Sequence, residues 1–130
     1  MKRAMPATSR MIGAGLLLLG LIAAMRPAVL ARSEAGLWEI SGRPGAGRAR
    51  ICVANPMILA QIEHRSGNCS RQVLRDAPAS AEITYTCPGG GFGTTTIEQI
   101  TPRSLRIETQ GISGDAPFHY VIQARRLGNC

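Results

Sequence analysis

The side chains able to do chemistry in this chain are few: four cysteines, two histidines, and scattered hydroxyls and carboxylates. Cys52, Cys69, Cys87 and Cys130 are separated by 17, 18 and 43 positions, with no Cys-x-x-Cys pair among them. A redox dithiol or a zinc knuckle needs two thiols within one tight turn, so this spacing argues against both. An even count in a short exported chain reads instead as a disulfide framework.

His64 and His119 read as solvent-facing residues rather than metal ligands. Ser113, Asp115 and His119 could supply the nucleophile, acid and base of a hydrolase on paper. Gly111-Ile112-Ser113-Gly114-Asp115 lacks the spacing of a nucleophile elbow, however, and no helix follows the serine. Turn chemistry accounts for those glycines and for Asp115. Cys87-Pro88-Gly89-Gly90-Gly91-Phe92-Gly93 lacks the Lys-Ser/Thr of a phosphate loop and runs into Thr94-Thr95-Thr96, a strand start. No carboxylate pair stands out for acid–base work. The expectation is a protein that is not an enzyme, with no catalytic residue, cofactor or metal.

These residues have to be held by elements that the alternation of side chains predicts. Ala35–Ser41 and Arg48–Val53 are short strands flanking the Gly/Pro-rich loop 42–47. Asn55-Pro56 is a helix start, with Asn as the cap and Pro at the first helical position. The helix runs through 56–64, presents Ile58, Leu59 and Ile62 on one face, and ends at Ser66-Gly67-Asn68. Residues 69–75 and 81–87 form a hairpin about Pro78, with Val73 opposite Ile83, Arg71 opposite Tyr85 and Cys69 opposite Cys87. Residues 94–101 and 103–110 form another about Thr101-Pro102. Residues 118–126 are the last strand, with Phe118, Tyr120, Ile122 and Ala124 on one side.

Four cysteines allow three connectivities. The hairpin register favours Cys69–Cys87, which leaves Cys52–Cys130. The rival is Cys52–Cys69 across the helix with Cys87–Cys130.

Residues 1–31 have the three parts of a cleavable export signal. Lys2, Arg3 and Arg10 form the basic region, Met11–Met25 the apolar one, and Val29 and Ala31 occupy the −3 and −1 positions of a cut after Ala31. Ala24 is the weaker alternative. The 15-residue apolar run is short of the roughly 20 residues that span a membrane. Signal peptidase and the general export route are thus the implied processing partners, and the periplasm the implied location.

Residues 32–130, beyond that cut, are the size of one small domain. Their eleven arginines, no lysine, and eight acidic residues leave an excess of about three charges against +7 for the whole chain. The arginines are scattered, with only Arg125-Arg126 adjacent, so the basic face that nucleic acid requires is missing. The aromatic residues of the domain are Trp38, Tyr85, Phe92, Phe118 and Tyr120. A core so poor in large side chains gains from stapling: closing a 15–20-residue loop contributes about 3 kcal/mol.

Several of these pieces together resemble a known family. Gly36-Leu37-Trp38-Glu39, Cys52 followed by a Pro-started helix, Cys69, Cys87-Pro88-Gly89 and the ending Arg126-Leu127-Gly128-Asn129-Cys130 are similar to the domain of unknown function 3617 family, small exported proteins of proteobacteria. The resemblance covers roughly residues 35–130. It departs at Val53-Ala54-Asn55-Pro56, where the family tends to have Leu-Thr-Pro, at Asn129, where Asp is common, and at 42–48, where a Met-rich stretch is shortened. It implies a β-rich fold in the periplasm and carries no catalytic residues.

The fold expected is mainly β: a curved antiparallel sheet or small open barrel with one short helix and two disulfides. The function expected is binding of an apolar small ligand or envelope component on the concave side, lined by Trp38, Tyr85, Phe118 and Tyr120. A plain hydrophobic core explains the same four residues. The alternative function is a protein-interaction or inhibitor module using an exposed sheet edge, with a periplasmic protein as partner; a small hydrolase ranks third.

Overall fold

The computed structural model describes residues 26–130. The basic region and apolar run of the expected leader lie outside them. The described residues form seven strands, in chain order β1 (Gly36–Ser41), β2 (Ala49–Val53), β3 (Ser70–Ala77), β4 (Ser80–Thr86), β5 (Phe92–Thr101), β6 (Ser104–Ser113) and β7 (Ala116–Gly128). They form one antiparallel sheet in the order β2-β1-β7-β6-β5-β4-β3. The last five strands are a meander, and the β1–β2 hairpin adds to its far end through β1 and β7.

The path from β2 to β3 must therefore cross from one edge strand to the other. It does so as a 3-10 helix, Pro56–His64, and this segment together with a helical turn, α1 (Ala28–Ala31), fills the inner face of the sheet. Alternation decides which side chains meet it. Trp38 and Ile40, Ile107, Ile97, Ile83 and Ile122 all point inward and are buried, while their neighbours face out. Each such burial contributes about 1.5–3 kcal/mol.

Asn55 caps the helix as its sequence predicts, its side-chain oxygen accepting from the Met57 amide at 3.0 Å. The helix itself differs from expectation. It is of the tighter 3-10 type, and it kinks at Gln61 (φ −131°, ψ 42°). Pro56, Met57, Leu59, Ala60, Gln61 and Ile62 are all buried, whereas Ile58 is only half-buried. The kink falls beside the Ala60 carbonyl, which accepts instead from the Thr95 hydroxyl at 2.7 Å; Thr95 in turn shares a hydrogen bond with Thr109 at 2.9 Å. Both threonines are fully buried, and their hydroxyls are satisfied by this chain of contacts.

The structure forms Cys69–Cys87 and Cys52–Cys130. In the β3–β4 hairpin Val73 pairs with Ile83 and Arg71 with Tyr85, as the symmetric register about Pro78 predicts. Nearer the turn that register slips by one. A bulge at Leu74 brings Arg75 opposite Glu82 and Ala77 opposite Ser80. The other hairpins extend further than expected, to Phe92 and Ser113 in β5–β6 and to Ala116 and Gly128 in β7.

The motifs that carried the resemblance meet in space. Leu37 pairs with Gly128 and Trp38 with Arg126, and Arg126 Nε donates to the Ala35 carbonyl at 3.0 Å. Arg126 also donates to the Asn129 side chain at 3.0 Å, just before the Cys130 bridge to β2. The two ends of the domain thus form one clasp.

Candidate functional site

The chain places its polar side chains of chemical interest at the end of the sheet where the 3-10 helix runs out. Glu63 and His64 close that helix. The loop after β1 folds back so that Arg43 donates to Glu63 Oε2 at 2.9 Å, and the Tyr120 hydroxyl donates to the same oxygen at 2.7 Å. The Arg43 guanidinium lies 5.9 Å from the centre of the Tyr120 ring.

His64 turns inward rather than to solvent. Its Nδ1 shares a hydrogen bond with the Tyr85 hydroxyl at 3.0 Å, and its ring packs edge-on against Tyr85 and Phe118. On its other side the ring rests on Gly91, where an added Cβ would come within 2.4 Å of Nε2. At Gly93 an added Cβ would come within 2.8 Å of the Tyr85 hydroxyl. The Gly-rich stretch after Cys87 is therefore the surface against which His64 and Tyr85 pack. With one ring nitrogen on Tyr85 and the other against backbone, His64 seals the end of the core.

Burial raises the Tyr85 hydroxyl to about 12, against a smaller opposing contribution from Thr109, and the Glu63 carboxylate adds least to the rise. Tyr120 is pushed up further by burial, followed by its hydrogen bond to Glu63 and the charge there. Both phenols hold their protons at neutral pH. Gln61 locks the adjoining turn: its amide donates to the carbonyls of His64 (3.0 Å) and Gly67 (2.8 Å), and its oxygen accepts from Arg71.

Of the four aromatic residues expected to line a ligand, Trp38, Tyr85 and Tyr120 are buried within the packed interior. Trp38 Nε1 donates to the Glu34 carbonyl at 3.0 Å. Phe118 is half-buried and also borders an open groove of about 670 Å³. The register explains that groove. Phe92 pairs with Ile112 and Ile112 with Pro117, giving an apolar row; Thr94 pairs with Gln110 and Gln110 with His119, giving a polar row beside it. Both rows lie on the face of the sheet opposite the helix, across the Gly93–Gly111 pair. Phe92 is 48% exposed, one of three large apolar side chains so open among the described residues.

The hydrolase triad conceivable on paper is not brought together. His119 Nε2 meets Glu108 Oε1 at 3.1 Å rather than Asp115, which sits in the β6–β7 turn at φ 66°. His119 first, then Arg106, hold the Glu108 carboxyl below its usual value. Among the described residues no group of three His, Cys, Asp or Glu side chains is placed to hold a metal ion.

A seven-stranded open antiparallel sheet, filled by a 3-10 helix and fastened by two disulfides, defines a small stapled β protein. The model of the family "Protein of unknown function (DUF3617)" matches residues 33–130, and the chain belongs to that family. No curated protein and no solved structure matches it.

Proposed function

We propose that this is an exported, periplasmic, non-enzymatic binding protein that takes an amphiphilic envelope component into the groove beside Phe92. One observation carries the reading: an apolar row (Phe92, Ile112, Pro117) runs alongside a hydrogen-bonding row (Thr94, Gln110, His119) in a groove of about 670 Å³. An acyl chain would lie on the first and a polar head on the second. A site this open leaves part of its ligand in water, which suits an amphiphile better than a wholly apolar molecule.

The inner face of the sheet supports ligand binding less, because the helix occupies it. The β3 edge supports partner binding less as well. Edge strand β3 carries the Leu74 bulge and Arg71, Arg75 and Asp76, features that blunt edge-to-edge pairing. Two disulfides, and the lack of any helix among the described residues long and apolar enough to cross a membrane, are compatible with export.

Dodecylphosphocholine below its micelle-forming concentration is a suitable probe. Phe92→Ser should weaken its binding about tenfold, the loss of one apolar contact of about 1.5 kcal/mol. Ile100→Ser, at the opposite end of β5, should leave it unchanged. Equal affinity in the two variants would refute the groove.

A further inference from the structure

We propose that signal peptidase cuts this chain after Ala24 and not after Ala31, so that Pro27–Ala31 stays in the mature protein as part of its core. The proposal rests on the reading of the leader as an export signal. Val29 and Leu30 are 0% exposed and belong to the same apolar cluster as Leu59, Ile83 and Ile97. Their turn, α1, packs against β3, β4, β5 and the 3-10 helix.

Polar contacts add to this packing. Asp76 of β3 accepts from the Ala28 amide at 3.0 Å, and the Pro27 carbonyl accepts from the amides of Leu30 and Ala31 at 3.0 and 2.8 Å. The Ser33 hydroxyl donates to the Val29 carbonyl at 2.8 Å, tying the turn to the chain that leads into β1. Pro27 is itself buried, while Arg26 is exposed.

Signal peptidase reads small or aliphatic residues at −3 and −1, and the two cuts weighed for this leader both offer them: Ile22 and Ala24, or Val29 and Ala31. The fold separates the two. A cut after Ala31 would pull two fully buried aliphatic side chains out of a packed core and leave Asp76 without its amide partner. A cut after Ala24 removes nothing that the described core uses. In that step water adds across the Ala24–Met25 amide: its hydroxyl goes to the Ala24 carbonyl carbon as the C–N bond breaks, and its proton goes to the Met25 nitrogen.

The test is to export the full chain with its own leader in a Gram-negative host and record the intact mass and N-terminal sequence of the periplasmic product. The expected product begins at Met25. One beginning at Arg32 would overturn the inference while leaving the export reading in place, and an uncleaved chain would overturn both. Leu30→Ser and the milder Leu30→Val, which spare both cut sites, provide a second readout. With residue 30 in the mature core, Leu30→Ser should lower the melting temperature by about 10 °C or more and Leu30→Val by less. If residue 30 were removed with the leader, both variants would yield a product of wild-type mass and wild-type melting, against the proposal.

Discussion

The two tyrosines offer the most direct view of single-residue energetics, because the chain has no others. Both phenols are buried at the closed end of the sheet and both have raised proton affinities. An unfolded tyrosine loses its proton near pH 10, whereas folded Tyr85 keeps it to about 12. Below pH 10 both states are neutral and pH has no effect through these groups. Between pH 10 and 12 the unfolded chain releases protons that the folded chain retains, so stability falls as pH rises. Phenolate absorption should therefore appear late and together with unfolding, and Tyr85→Phe should flatten the alkaline loss. Reversible titration of both phenols near pH 10 in the folded protein would contradict the packing described for them. The inward turn of His64, against the solvent-facing position expected for it, has no local signal in the sequence. A histidine at a helix end is free to point either way, and the partners that decide, Tyr85 and Gly91, lie more than 20 positions away.

At the scale of elements, one hydroxyl satisfies the 3-10 helix at its kink. Thr95→Val would leave the buried Ala60 carbonyl without its partner and cost about 1–3 kcal/mol, lowering the melting temperature by about 5 °C or more. Thr95→Ser, which keeps the hydroxyl, should recover much of that loss. The disulfides differ in reach: Cys52–Cys130 spans 78 positions and Cys69–Cys87 only 18. On loop entropy the first contributes about 4–5 kcal/mol and the second about 3. Replacing Cys52 and Cys130 together by Ala should therefore cost more in denaturant unfolding than replacing the other pair. The opposite order would mean that burial of Cys69 and Cys87 outweighs loop length. Much of this level is legible in the sequence. The β3–β4 register comes from period-two alternation, and with it the pairing of Cys69 with Cys87. The Asn55 cap comes from its side chain preceding proline. The Leu74 bulge does not, since Val73-Leu74 gives two adjacent apolar residues with no mark of which is the extra one. The choice of 3-10 over α geometry is hidden for a similar reason: residues 56–62 are almost uniformly apolar, so no period stands out. It is the packing of Leu59, Ile62 and Ala60 against β5 and β6 that fixes the turn.

At the scale of the whole domain, the described residues form one open sheet whose inner face is already occupied. That placement cannot be read from strand patterns, because it depends on β2 and β3 being opposite edges and the chain between them having to cross. The edge order in turn depends on β1 pairing with β7, residues near opposite ends of the domain. Because the interior is filled, the proposed binding falls on the outer face, where Phe92, Ile112 and Pro117 lie beside Thr94, Gln110 and His119. The measurement that tests this most directly is a map of backbone amide shifts on adding monomeric dodecylphosphocholine to the oxidised protein. Binding in the groove predicts changes concentrated at Phe92–Thr94, Gln110–Ile112 and Phe118–His119. Changes centred instead on Trp38, Leu59 and the inner strands, or spread evenly over the sheet, would contradict it.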